Sequence, residues 1–191
     1  MLTLTVVNNM LGTMGEAPLN AIDDAHPYRG ACVSILSTVN REFQARGWWF
    51  NREQLTLEPS ALDGSLYLPG DAISVRTEDR NYVQRYRRLY NLDGGTYVFT
   101  ASEDVEIVRL VPFEETPELY AAYCAAEATQ RFQKRYDGDS AKTRELGREL
   151  ADARIAAVSE ETRQVQANLI ESNVRLSYIK SRIRQVRGRR F

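Results

Sequence analysis

The feature of this sequence that most limits its fold is a double change in the spacing of its apolar residues. Up to residue 46 they recur every three or four positions, as on one face of a helix. From residue 48 to residue 111 they alternate, or form short runs bounded by turn residues, before helical spacing returns. We therefore expect an α+β fold in which two separate helical stretches pack together. The expected parts are a helical bundle from 1–47 and 112–168, an inserted antiparallel β unit at 48–111, and a basic C-terminal arm at 169–191.

Two helices are predicted before the β unit. The first spans residues 3–14, with Thr3 or Thr5 as its N-cap and Gly15 in the left-handed position after its end. The second spans residues 27–46, with Pro27 in its first turn and a stop at Gly47. Its apolar face consists of Cys32, Leu36, Val39 and Phe43.

Five or six short strands are predicted in the β unit. The aromatic run Trp48–Phe50 should form the first, and residues 55–57, 73–75 and 105–110 should also be extended. We expect the aromatic run to anchor this strand onto the bundle, the alternative being a platform for a sugar or a base. Residues 82–89 alternate as one strand. The Asn-Leu-Asp-Gly-Gly sequence at 91–95 predicts a hairpin turn that leads into a strand at 96–99.

Helices return at Thr116, a predicted N-cap followed by Pro117 and Glu118. Tyr120, Cys124, Ala128, Phe132 and Tyr136 recur at four-residue steps. After a break at 137–139, Ser140 is the predicted cap of the longest helix. From the two bundle stretches we expect one buried cluster of Leu36, Val39, Phe43, Cys124, Phe132, Leu146 and Leu150.

Composition and chemistry favour a structural protein. Apolar residues make up 43% of the 191-residue chain, charged residues 27%, and the net charge is -1, which is typical of a soluble globular protein. No apolar run is long enough to span a membrane, and the N-terminus lacks signal-peptide features. A lone His26 and two cysteines, Cys32 and Cys124, do not match any metal or nucleophile motif. We expect reduced, buried thiols, no cofactor, no metal and no enzymatic activity.

Three segments, taken in order, resemble the tail tubular protein A family, the head-to-tail adaptors of short-tailed, podovirus-type bacteriophages. They are Val-Asn-Asn-Met-Leu-Gly-Thr-Met-Gly-Glu-Ala-Pro at 7–18, Arg-Gly-Trp-Trp-Phe-Asn at 46–51, and Ala-Thr-Gln-Arg-Phe-Gln-Lys-Arg-Tyr at 128–136. The resemblance extends from Val7 to about Asn168 and is weakest beyond it.

The resemblance implies a structural role in the virion tail, with assembly in the host cytoplasm. Adaptors of this type form rings of twelve copies between the portal protein ring and the tail nozzle of the tail tubular protein B type, and genome DNA passes through them. It also implies that the C-terminal segment docks onto the portal.

The arm carries the predicted docking site. Residues 168–191 hold seven basic side chains against one acidic side chain, Glu171, a local net charge of +6. Their apolar residues fit a helix and an extended arm equally well. The predicted portal- or subunit-binding residues are Leu176, Tyr178, Ile179, Arg182, Ile183, Arg184, Val186, Arg187, Arg189 and Arg190.

Two other charged sets suggest alternatives. Arg80, Arg85, Arg87 and Arg88 are interleaved with tyrosines, a composition found on nucleic-acid surfaces but also on solvated or subunit-facing strands. Acids of the last helix are candidates to face a channel lumen or a neighbouring subunit: Glu145, Glu149, Asp152, Glu160 and Glu161. The alternative functions are a basic-armed nucleic-acid-binding protein and a tail-associated cell-wall hydrolase.

Overall fold

The computed structural model describes residues 1–77 and 81–172 and has the expected α+β class. Four helices and five strands occur in the described residues, together with a 3₁₀ turn at Phe113–Glu115. The elements are α1 (Thr3–Thr13), α2 (Arg29–Gln44), β1 (Arg52–Leu57), β2 (Ala72–Thr77), β3 (Tyr82–Arg85), β4 (Arg88–Asn91), β5 (Glu103–Arg109), α3 (Glu118–Tyr136) and α4 (Ser140–Ser172).

Helices α1, α2 and α3 supply most of one buried cluster, and α4 covers α3 from outside. The buried set contains five of the residues expected there: Leu36, Val39, Phe43, Cys124 and Phe132. The other two are not core residues, since Leu146 and Leu150 are only half-buried. The reason is the peripheral position of α4, whose fully buried contact with this cluster is the small side chain of Ala157.

A second apolar cluster lies in the β unit. β5 is the central strand of a three-stranded antiparallel sheet with the order β1-β5-β2, and β3 pairs with β4 in a separate hairpin. The cluster packs between these two sheets and the loops that join them. It consists of Leu57, Leu66, Leu68, Leu89, Phe99, Val105 and Ile107.

The predicted first strand is wrong, because Trp48–Phe50 forms a turn and β1 begins at Arg52. Trp48 is buried in the bundle instead, where its Nε1 donates to the Phe43 carbonyl at 2.9 Å. Its ring meets Tyr120 at 5.1 Å between centroids in an edge-to-face contact. The strand assignment is therefore wrong, but Trp48 packs into the bundle as expected of an anchor for the start of the β unit.

The predicted strand at residues 82–89 is also wrong, because it folds back on itself. β3 and β4 form a tight hairpin whose turn contains Tyr86 at φ +56°. The predicted turn at 91–95 exists, with mutual backbone hydrogen bonds between Asn91 and Thr96 of 2.9 and 3.2 Å. Beyond it residues 96–99 make single bridges rather than a strand.

The helix ends agree with the glycine predictions but not with Pro27. Gly15 and Gly47 have φ values of +75° and +76°, a left-handed conformation that glycine adopts without strain. Pro27 precedes the first turn rather than lying in it, since the N-cap of α2 is Tyr28.

The predicted hydroxyl caps are wrong. Neither Thr3 nor Thr5 caps α1, whose N-cap residue makes no side-chain hydrogen bond. The Thr116 hydroxyl donates back to a carbonyl of the 3₁₀ turn instead of capping α3. At α4 the carboxylate of Asp139, not Ser140, accepts from two backbone N–H groups of the first turn, at 2.7 and 3.1 Å.

Two fully buried amides hold the crossings between the bundle and the β unit. Gln44 Nε2 donates to the Val111 carbonyl and Gln44 Oε1 accepts from the Val111 N–H, both at 2.7 Å. Asn51 Nδ2 donates to the Arg109 carbonyl at 2.9 Å, and its Oδ1 accepts from the Trp48 N–H at 2.7 Å. The outgoing and returning segments are thus joined to each other as well as to α2.

Truncating an aromatic side chain in the bundle core should destabilise the protein strongly. Phe43→Ala or Phe132→Ala leaves a large cavity, and we expect a loss of about 3–5 kcal/mol in the free energy of unfolding, measured by urea titration. Ile155→Ala is the control, because this side chain is 65% exposed. An unfolding midpoint that moves equally little in all three variants would contradict the observed core.

Replacing Gln44 by Leu should cost about 1–3 kcal/mol, because the variant leaves the partly buried Val111 N–H without its acceptor and the Val111 carbonyl with only the Asn40 amide, at 3.4 Å. The matched control is Gln54→Leu, the same change at an exposed position of β1. Urea unfolding of both variants measures the difference. Equal midpoints for the two would show that the amide does not hold the junction.

Candidate interaction site

The predicted docking residues of the arm lie outside the described residues. This applies to the whole set from Leu176 to Arg190, so their role stays a prediction. The described part of α4 ends at Ser172, at the start of the arm.

The β3–β4 hairpin carries an ordered stack of arginine and tyrosine side chains, which we call the Arg–Tyr surface: Tyr67, Arg85, Arg88, Tyr90 and Tyr97. The Arg85 guanidinium lies 3.6 Å from the Tyr90 ring centroid, and that of Arg88 lies 4.3 Å from the Tyr97 centroid. The Tyr90 and Tyr97 rings contact each other at 4.8 Å. These contacts orient both guanidinium planes through cation–π attraction.

Asp63 anchors one end of the Arg–Tyr surface. Its carboxylate accepts from the Tyr67 hydroxyl at 2.9 Å and lies 3.8 Å from Arg88 Nη1. The pKa of Asp63 is lowered to about 2, because the Ser65 N–H and hydroxyl both donate to it. Sequence reasoning identified the arginines but missed these partners, which lie in a different loop. No local pattern signals the pairing.

Arg85 and Arg87 flank Tyr86 at the tip of the hairpin. Within residues 1–77 and 81–172, neither has a carboxylate oxygen within 4.0 Å of its guanidinium nitrogens. Among the described atoms, Arg87 donates to the Leu68 carbonyl, at 3.5 Å. Between them Tyr86 is 90% exposed. The tip of the hairpin therefore presents an exposed aromatic ring between two cations that no carboxylate of the described residues neutralises. Arg80 of the predicted set is not among the described residues.

The five acids of α4 have different environments. Glu145, Glu149 and Asp152 are exposed, and no cation of the described residues lies within 4.0 Å of them. Glu160 pairs with Arg163 at 3.0 Å on the same helix.

Glu161 is bound by its own chain rather than left free to face a lumen or a neighbour. It accepts from the Trp49 N–H and pairs with Arg52 Nη2, both at 2.9 Å. This carboxylate connects α4 to the start of β1, so its primary role is structural.

An apolar groove runs along the outer side of α3 and α4. Its volume is about 560 Å³, and its lining includes Tyr123, Leu150, Ile155 and Val158. Ile155 and Val158 are 65% and 47% exposed. Exposed aliphatic side chains next to each other on a helix are typical of surfaces that contact another protein.

The described residues offer little reactive chemistry. No group of three or more His, Cys, Asp or Glu side chains suited to a metal ion occurs among them. The His26 Nδ1 accepts from the Tyr28 N–H at 3.2 Å. Both thiols are buried and unpaired, and burial raises the pKa of Cys32 to about 11 and that of Cys124 to about 12. A helix long and apolar enough to cross a membrane is also not found in the described part of the chain.

Comparison with known proteins supplies a family. A family model described as tail tubular protein matches residues 4–167. The chain is also similar to tail tubular protein A of Klebsiella phage KP34, with 29% identity over 140 residues, which cover 72% of this chain and 75% of the relative. The match to the family model includes both helical stretches and the β unit between them.

The buried thiols should be inert in the folded protein. With Ellman's reagent at pH 8 we expect no rapid reaction, and two reactive thiols per chain after unfolding in urea. Because the folded pKa values exceed the ordinary value near 9, ionisation favours the unfolded chain, and stability should decline as the pH rises from about 9 towards 11. Fast stoichiometric labelling of the native protein would contradict the buried positions.

Proposed function

The chain belongs to the tail tubular protein family, and on that basis we propose that it is the head-to-tail adaptor of a short-tailed phage. Its role in the phage tail is structural. In the proposed role, copies of the chain form a ring between the portal and the tail nozzle, and genome DNA passes through the ring. Twelve copies are expected from the family. The observation that supports this proposal most is the family match across nearly the whole described chain.

A ring of more than two copies needs two different surfaces on each subunit, because its contacts are head-to-tail rather than two-fold. The apolar groove of α3 and α4 is suited to be one of them, since it exposes Ile155 and Val158 next to a well-packed core. The exposed acids Glu145, Glu149 and Asp152 belong to the same helix. In the proposed ring they face a neighbour or the lumen, where negative charge keeps passing DNA from being held.

The arm is the proposed portal-binding element. Its apolar residues, Leu176, Tyr178, Ile179, Ile183 and Val186, would be buried against the portal. Arginine binds carboxylates with two parallel hydrogen bonds, so the arginines of the arm would pair with acids at the edge of the contact. The nozzle and the neighbouring copies are the other proposed partners, and no cofactor is required.

Deletion of residues 175–191 tests this proposal. The described core does not use these residues, so we expect thermal unfolding to be nearly unchanged. Binding to purified portal-bearing heads, followed by co-sedimentation, should be lost. Negative-stain microscopy should show an added ring with a central channel on heads mixed with the full-length chain and bare portals with the truncated chain.

A variant that replaces only the arginines at 182, 184, 187, 189 and 190 serves as the matched control. It should still dock, but more slowly and with less dependence on salt, because charge mainly steers association. Undiminished docking of the truncated chain would show that the arm is not the portal-binding site. Failure of the full-length chain to form rings on heads would reject the adaptor role itself.

A further inference from the structure

We propose that the tip of the β3–β4 hairpin, Arg85 to Arg88, together with the Arg–Tyr surface, is a docking site for a carboxylate-bearing surface of another tail protein. The site is separate from the C-terminal arm, and nothing in the family comparison assigns it. The choice of occupant rests on the proposed ring.

The Arg85 side chain is preorganised for binding. The Arg85 guanidinium lies face-on to the Tyr90 ring at 3.6 Å, so its N–H groups remain available at the edges of the plane. A planar guanidinium held in this way can accept a carboxylate in the bidentate geometry. Because the stack already restricts the side chain, less conformational entropy is lost when a partner binds.

The backbone of Tyr86 is strained although its side chain is exposed. Tyr86 has φ +56°, a conformation that is unfavourable for a bulky side chain and that Gly or Asn usually supplies in tight hairpin turns. The Tyr86 ring is 90% exposed. A strained residue that projects its aromatic ring into solvent from a rigid hairpin is typical of a binding position.

The surroundings of the site fit a protein partner better than a nucleic acid. Val98, 57% exposed, pairs with Ser65 in the loop that also carries Leu62, which is 98% exposed. Aliphatic groups of this kind contribute to binding only if the partner covers them with apolar surface. Tyrosine and arginine together are the composition of protein interface hot spots.

Neither the arm nor the acidic strip of α4 fits this site as its occupant. The arm is basic and would be repelled. The exposed acidic strip of α4 starts near Lys142, which contacts the Thr13 carbonyl at the end of α1, whereas Glu161 contacts the start of β1. The start of the strip, at Glu145, therefore lies nearer the end of α1 than the β unit that carries the hairpin.

Site-specific photocrosslinking in assembled tails tests the site directly. Tyr86 is replaced by the photoreactive analogue benzoylphenylalanine, which the exposed position tolerates, and crosslinked peptides from irradiated tails are identified by mass spectrometry. We expect a single tail protein other than this chain, linked within a segment that contains several Asp or Glu residues. Crosslinks to DNA, to another copy of this chain or to nothing would each overturn the proposal.

Charge reversal measures the contribution of the arginines. R85E/R87E should retain the fold, because both side chains are exposed, and should reduce attachment of the crosslinked protein to adaptor-bearing heads at least tenfold. R85K/R87K keeps the charge but loses the stacked bidentate geometry, so its reduction should be intermediate. Unchanged attachment with R85E/R87E would also overturn the proposal. Ring formation on the heads is measured separately from attachment. Rings that form normally with unchanged attachment by R85E/R87E would reject the hairpin site alone. Failure of the unaltered chain to form rings would reject the adaptor role.

Discussion

Paired hydrogen bonds from the Gln44 side chain to the N–H and carbonyl of Val111 set the position of the β unit on the bundle. The chain crosses between the two parts in irregular segments, whose backbone groups have no helix or sheet partners and become costly when buried. A primary amide is the side chain that can donate to a carbonyl and accept from an N–H of the same residue. Asn51 does the equivalent for Arg109 and Trp48. Together with the backbone hydrogen bond from the Arg109 N–H to the Asn51 carbonyl, at 2.8 Å, the two amides join the crossing segments to each other and to α2.

The same junction determines where the functional surfaces lie. Tyr120 of α3 donates its hydroxyl to the Asn40 carbonyl one turn before Gln44, so α3 is aligned with the crossing. Helix α4 packs on α3 and is then bound to the outgoing segment through the Glu161 carboxylate. The origin of the C-terminal arm and the base of the sheet are thus held by one connected set of contacts.

Sequence reasoning predicted those parts of the fold that depend on a repeating apolar period, and missed those that depend on contacts distant in sequence. The bundle helices, the core around Phe43 and Phe132, and the glycine stops follow from spacing and backbone freedom. Trp48 was assigned to a strand because aromatic residues favour sheets, but its contacts with Tyr120 and the Phe43 carbonyl place it in the helical core. The β3–β4 turn has no glycine, and the rings that stabilise it, such as Tyr97, are recognised only in three dimensions. The arm was predicted from charge asymmetry, apolar spacing and the family resemblance, and its contacts stay a prediction because they lie outside the described residues.

The charge distribution explains why two kinds of basic surface are useful on one chain. The whole chain carries -1 and residues 168–191 carry +6, so residues 1–167 carry -7. In the proposed ring, an acidic body with exposed Glu145 and Glu149 would not attract passing DNA. Positive charge would then serve the proposed contacts with other proteins, and the chain supplies it in two forms. The arm concentrates many cations, which favours rapid long-range attraction. The hairpin holds Arg85 and Arg88 against tyrosine rings. These contacts fix the orientation of each guanidinium before binding, which favours a partner with one matching geometry.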